Sequence, residues 1–266
     1  MSIFHFTDSV DSSRRSEVLD GIKRGFLLGA AVLAVSLPPA GIATPHRAQQ
    51  LDAAHLQQLG PRLGPHPHFA DFAGEQPSAA ARHIADWAVD SRDHGRMSFV
   101  IVDKKNAHVW VFGPDGRLRG GTPVLLGAAA GDLSVAGIGQ RPISEVRPEE
   151  RTTPAGRFIA EPGRNALGED VVWVDYNAAV SMHRVRVTDP RERRLERLAS
   201  PTTEDNRISY GCINMPVAFF EGVLSPTFKS TRAVVYVLPE TLDLDGVFGS
   251  YDVAERHRRP ATIVAG

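Results

Sequence analysis

Ser98-Phe99-Val100-Ile101-Val102-Asp103, then Lys104-Lys105-Asn106-Ala107, then His108-Val109-Trp110-Val111-Phe112, is the stretch that sets the fold class. Two runs of β-branched and aromatic residues flank four polar or small ones, the pattern of a β-hairpin. Gly113-Pro114-Asp115-Gly116 follows as a turn. Further on, Thr122 to Leu126, Arg157 to Ala160, Val171 to Asp175, Ala179 to His183 and Arg232 to Leu238 each read as a short strand. Many short strands at close spacing, with few helices, predict a mainly β sandwich or barrel. Gly127 to Gly139 is Gly/Ala-rich. It lacks both the lysine of a P-loop and the spacing of a dinucleotide fingerprint, so it reads as a surface loop.

Upstream of the hairpin the period changes. Ala48 to Leu59 and Ala79 to Val89 carry good helix formers with apolar residues at three- and four-residue spacing. Pro61, Pro65, Pro67 and Pro77 break helices between them. The segment 44–96 is therefore expected to be a helical, Pro-rich arm. His66-Pro67-His68 reads as an exposed polar loop, because no acidic or cysteine ligands cluster with it at zinc-type spacing.

Residues 1–43 read as a signal peptide, or as an anchor that stays uncleaved. The basic pair Lys23-Arg24 precedes an apolar run of 13 residues from Gly25 to Leu37, and small residues follow to Ala40 and Ala43. A spanning helix needs roughly 20 residues. Ser13-Arg14-Arg15 and Lys23-Arg24 are imperfect echoes of a twin-arginine signal, so the export route stays open. The expected location is the periplasm or cell envelope, with membrane contact only through this segment. The chain carries 42% hydrophobic and 23% charged residues at a formal net charge of −1, without the strongly basic domain of a nucleic-acid binder. After such a leader roughly 220 residues remain, enough for one good core. The polar tail 240–266 carries no assigned role.

Cys212 is the only cysteine of the 266 residues, so it has no intramolecular disulfide partner. It is a buried small hydrophobe, an intermolecular bridge or a reactive nucleophile. Its setting, Arg207-Ile208-Ser209-Tyr210-Gly211-Cys212-Ile213-Asn214-Met215-Pro216, favours the last. Gly211 lets the backbone turn sharply, so that N–H groups converge on a developing oxyanion. The expected donors are the amides of Gly211 and Cys212, with Tyr210 as a third. Ser209 is either a turn serine or a loop stabiliser. A thiol attacks a carbonyl as thiolate and needs a base to take its proton. His183 closes an apolar β run, where a side chain can face a cleft, whereas His108 reads as structural.

Taken in order, the hairpin at Ile101 to Phe112, Thr153-Pro154-Ala155-Gly156-Arg157-Phe158, the strand ending in His183 and Ser209-Tyr210-Gly211-Cys212-Ile213-Asn214 resemble the L,D-transpeptidase (YkuD) catalytic domain. The resemblance covers 97–239 and implies a YkuD-like β-sandwich or barrel. It implies that Cys212 is the nucleophile and His183 the base. The reaction it implies joins peptidoglycan stem peptides through a thioester, without metal or organic cofactor and with carbapenems as covalent inhibitors. Two features depart from the family pattern. Tyr210 stands where most members carry His, and the 29 positions from His183 to Cys212 are more than in most members. The additional residues include Arg191 to Arg197, expected as an exposed helical insert. Asn214 is expected to hold the loop or contact the donor stem. Arg184, Arg186 and Arg207, with the insert, are candidates for attracting stem carboxylates, against the ordinary reading of a solvated charged face.

Three other functions stay open. They are an L,D-carboxypeptidase that uses water as acceptor, a catalytically silent envelope-binding protein, and an unrelated thiol hydrolase. Papain-like signatures around the cysteine are absent. A sortase would usually place an arginine soon after the cysteine's strand.

Overall fold

The computed structural model describes residues 66–229 and 231–258. The signal-peptide reading at 1–43 and the helix expected at Ala48 to Leu59 lie outside the described residues.

The hairpin forms as its composition dictates. Strands β1 (Phe99–Asp103) and β2 (His108–Phe112) pair antiparallel, with Phe99 opposite Phe112 and Asp103 opposite His108. The remaining strands are β3 (Leu118–Pro123), β4 (Leu126–Gly127), β5 (Gly156–Arg164), β6 (Asp170–Asp175), β7 (Val180–Arg184), β8 (Arg207–Ser209), β9 (Ile213–Met215) and β10 (Ala233–Val237). Eight of them form one mixed sheet in the order β3-β2-β1-β10-β5-β6-β7-β9, and β4 pairs with β8. Two neighbouring pairs in the large sheet are parallel, β1 with β10 and β7 with β9. The architecture is mainly β with short helices, as the strand-rich sequence predicts.

Every residue of β1 and of β10 is buried, because both faces of the central sheet are covered. On one face Val100, Val102, Val235 and Val237 pack with Ile213, Met215, Phe220, Leu224 and Phe228. On the other, Phe99, Ile101, Trp110, Phe112 and Tyr236 pack with helix α1 (Ala79–Ser91) through Ala81, Ile84, Ala85 and Ala88. Two-sided burial explains why the strands read as apolar runs rather than as an alternation. Each large side chain buried in this way contributes about 1.5–3 kcal/mol. Phe248 and Val253, from the polar C-terminal segment, join the second cluster.

Helix α1 begins where Ser78 Oγ accepts from Ala81 N at 3.0 Å. The same hydroxyl donates to Asp103 Oδ2 at 2.6 Å, tying the cap to the end of β1. Just after the helix, Asp93 Oδ2 accepts from Arg157 Nε at 2.6 Å and from the Tyr236 hydroxyl at 2.5 Å. The helix is thereby fixed to β5 and β10.

Candidate active site

A parallel pair of strands cannot be joined by a tight turn and needs a long crossover. Between β7 and β9 the crossover is the stretch with the arginine-rich insert, and it contains α2 (Arg194–Ala199) and β8. In the resulting register Met182 lies beside Ile213 and His183 beside Asn214. This pairing brings the strand that ends near His183 alongside the loop that carries Cys212.

Cys212 is 7% exposed. Its Sγ lies 3.5 Å from the Ala179 carbonyl and 3.7 Å from Ser181 Oγ. Ser181 stands two residues before His183, so the alternation of β7 places both on one face. His183 Nδ1 lies 2.8 Å from the Arg184 carbonyl. A carbonyl only accepts, so Nδ1 carries the ring proton and the neutral ring keeps Nε2 as an acceptor for the thiol. Burial pushes the Cys212 thiol up. The hydrogen bond and charge of His183, followed by hydrogen bonds from Ser181, outweigh it, and the pKa lies below the ordinary thiol value. The thiol therefore ionises more readily than an ordinary cysteine, with His183 placed to take its proton.

The turn before Cys212 needs its glycine. Gly211 has φ +128°, and a Cβ there would meet the Thr152 carbonyl oxygen at 2.8 Å. Its N–H donates to Ser209 Oγ at 3.1 Å, and Ser209 Oγ donates in turn to the Cys212 carbonyl at 2.6 Å. Ser209 is thus the loop stabiliser, and the Gly211 amide is engaged within the turn. Thr153 Oγ1 donates to the Gly211 carbonyl at 2.8 Å and accepts from Gly127 N at 2.9 Å. The Thr-Pro element lies behind the cysteine loop.

Tyr210 is half-buried, with the Arg151 guanidinium 4.0 Å from its ring centroid. Asn214 is 1% exposed and its Nδ2 donates to the Cys212 carbonyl at 3.1 Å. Of its two expected roles, its contacts here are those of a loop holder. Arg207 donates to the Lys104 carbonyl at 2.9 Å and pairs with Glu240. Arg184 lies over the Phe220 ring at 4.3 Å and pairs with Glu221 at 3.1 Å. Arg186 pairs with Glu169 at 2.7 Å. The insert pairs most of its own charge: Arg191 with Asp189, Arg193 with Glu196 and Arg194 with Glu192. Among the described residues no group of three or more His, Cys, Asp or Glu could hold a metal ion.

Sequence reasoning missed Ser181, Arg151 and Lys104. Two-residue counting back from His183 would have found Ser181. Lys104 read as part of a hairpin turn, yet it is fully buried. Its Nζ donates to Asp132 Oδ1 at 2.8 Å and to the carbonyls of Gly131 and Thr153 at 2.6 and 2.9 Å.

No protein-family model matches the chain. No curated protein matches it either. Solved structures do match. The chain is similar to a crystal structure of an Enterococcus faecium L,D-transpeptidase mutant, with 19% identity over 53% of this chain and 50% of that one and a TM-score of 0.29. It is similar to the solution structure of the catalytic domain from the E. faecium L,D-transpeptidase, with 20% identity over 55% of this chain and 99% of that one and a TM-score of 0.28. It is also similar to the helical cell shape determining protein Pgp2 from Campylobacter jejuni, with 13% identity over 63% of this chain and 58% of that one and a TM-score of 0.36. The match spans about half the length of the first of these, 50%. The two E. faecium proteins are L,D-transpeptidases, the family that the sequence motifs resemble. At these identities and TM-scores, the chemistry of the site has to be read from its own atoms.

Proposed function

We propose that the protein is a cysteine acyltransferase of the L,D-transpeptidase type, acting on peptidoglycan stem peptides in the cell envelope. The observation that carries this reading is geometric: the Cys212 thiol lies against Ser181 Oγ and the Ala179 carbonyl, beside the strand of His183, whose imidazole Nδ1 is pinned by the Arg184 carbonyl.

In the first half-reaction His183 Nε2 takes the thiol proton, and Sγ attacks the carbonyl of the L-centre of a diaminopimelate residue in a tetrapeptide stem. The C–S bond forms as the carbonyl becomes an oxyanion. The N–H groups of Cys212 and Tyr210, on either side of the Gly211 turn, are the donors assigned to it. The amide C–N bond then breaks, the imidazolium gives its proton to the departing D-Ala amine, and a thioester remains. In the second half an amine of another stem attacks the thioester, His183 takes its proton, and the thiolate leaves. No step calls for a metal or an organic cofactor. Export through the segment 1–43 belongs to the same proposal.

Incubation with a tetrapeptide stem, followed by intact mass and product analysis, tests it. A thioester adduct on Cys212 and a cross-linked dimer are expected. A tripeptide product alone would make the enzyme an L,D-carboxypeptidase, and no adduct with either stem or carbapenem would leave a silent binding protein.

A further inference from the structure

The insert between the two site strands is folded onto the cysteine loop. Leu198 of α2 is buried with Leu125 and Val185, and Ile208 packs against them. Leu125 exchanges both backbone hydrogen bonds with Asn214, at 2.8 and 2.9 Å. Arg194 opens α2, and its side chain is 15% exposed. Its Nε donates to Glu192 Oε2 at 2.6 Å, and its Nη1 donates to Asn214 Oδ1 at 2.9 Å. The guanidiniums of Arg191, Arg193 and Arg197 bond within the crossover itself, to Asp189, Glu196, Glu192 and Asp205.

We propose that Arg194 is a positioning residue for Cys212, acting through the Asn214 amide; this rests on the reading of Cys212 as the nucleophile. An amide side chain has a donor end and an acceptor end, and burial forbids leaving either unmatched. A guanidinium only donates, so Asn214 must turn Oδ1 toward Arg194. That turns Nδ2 toward the Cys212 carbonyl, where it sits at 3.1 Å. The flipped amide would set oxygen against oxygen at Cys212 and donor against donor at Arg194. Arg194 and the Cys212 carbonyl therefore fix the amide's direction together, with Arg194 holding the oxygen end in place. The amide and Ser209 Oγ together hold the carbonyl of the cysteine. Asn214 is also the strand partner of His183, so the same contact sets the thiol's place relative to the base. Part of the lengthened crossover thus has a reason in the site itself.

The test uses the full chain and two probes. Iodoacetamide, which is uncharged, reports the pH midpoint of Cys212 alkylation, and a carbapenem reports acylation by intact mass. Arg194→Ala and Arg194→Met are expected to raise the alkylation midpoint and to slow acylation about ten- to a hundredfold, the range for a displaced reacting group. Arg194→Lys, which keeps a donor and the charge, is expected to recover most of both. Arg191→Ala, whose guanidinium meets only Asp189 of its own loop, should leave the midpoint unchanged. A wild-type midpoint and rate in both Arg194→Ala and Arg194→Met, or a Lys variant no better than Met, would overturn the positioning role and leave the proposed reaction standing. A midpoint that moves with Arg194 in a protein that no carbapenem acylates would keep the positioning role and remove the transpeptidase reading.

Discussion

His183 and Asn214 are register partners on adjacent parallel strands, and Cys212 stands two positions before Asn214. The relationship is geometric before it is chemical. Parallel pairing fixes where the imidazole strand ends relative to the cysteine turn, and side-chain contacts then adjust the thiol. Disturbing the turn, the base or the buttress behind them should therefore have separable effects.

The base is the first case. Burial raises the thiol pKa, and His183 together with Ser181 brings it below the ordinary value. Without the imidazole, burial raises the pKa against the smaller effect of Ser181, so less thiolate is present at neutral pH. His183→Ala is expected to acylate about 10²–10⁴-fold more slowly, with the defect shrinking as pH rises toward the thiol's new pKa. Cys212→Ala should form no adduct. Time-resolved intact mass with a carbapenem across pH reads both, and a wild-type rate in His183→Ala at neutral pH would remove the dyad.

The turn is the second. Gly211→Ala forces a Cβ to within 2.8 Å of a backbone oxygen at a φ of +128°. Strain of this kind costs about 1–3 kcal/mol. Thermal unfolding is expected to fall by several degrees, and acylation to fall with it as the Cys212 carbonyl leaves its donors. Unchanged melting would mean that the loop relaxes freely.

Much of the fold was legible because β1, β2, β6 and β10 are runs of Val, Ile, Phe, Trp and Tyr. No other element suits such residues so well. The three-residue strands β8 and β9 were not legible as strands, since Arg207–Ser209 and Ile213–Met215 are too short to show a period. Nor was the parallel pairing of β7 with β9, which depends on a crossover whose path composition does not specify. Gly211, Cys212 and His183 stood out by residue type and setting. Arg194 did not, because a run of arginines gives no sign of which guanidinium turns inward. Lys104 was hidden for the opposite reason, since polar residues between two strands ordinarily face water.

Tyr210 replaces the histidine most members of the resembled family carry, and its ring stacks under Arg151. That contact uses the face of the ring, not the hydroxyl, and is worth about 0.5–1 kcal/mol where water reaches it. Tyr210→Phe should hence acylate within about twofold of wild type, whereas Tyr210→Ala, which removes the platform, should lose more. A large loss in Tyr210→Phe alone would assign the phenol a direct contact with substrate.

The buttress gives the sharpest pH signature. Asp132 accepts from Lys104 Nζ at 2.8 Å, from the N–H groups of Glu240, Thr241 and Leu242 and from the Thr241 hydroxyl, each at 2.7 Å. Burial pushes this carboxyl up, but Lys104 and the backbone donors bring it well below the usual carboxylate range. A folded-state pKa below the unfolded value of about 3.9 gives stability that is fully present above that value and lost as pH falls through the folded one. Lys104→Met strips the ammonium from Asp132 and Glu240 and the donor from the Gly131 and Thr153 carbonyls. Breaking a buried pair in this way costs about 3–5 kcal/mol. The deficit should be largest near neutrality and should narrow below about pH 4, because wild type is then losing the same interaction. Because Thr153 also holds the Gly211 carbonyl, acylation of Cys212 should slow alongside. Urea unfolding of both proteins from pH 2 to pH 7 decides it, and two curves separated by a constant offset at every pH would show that the Lys104–Asp132 pair carries no pH-dependent stability.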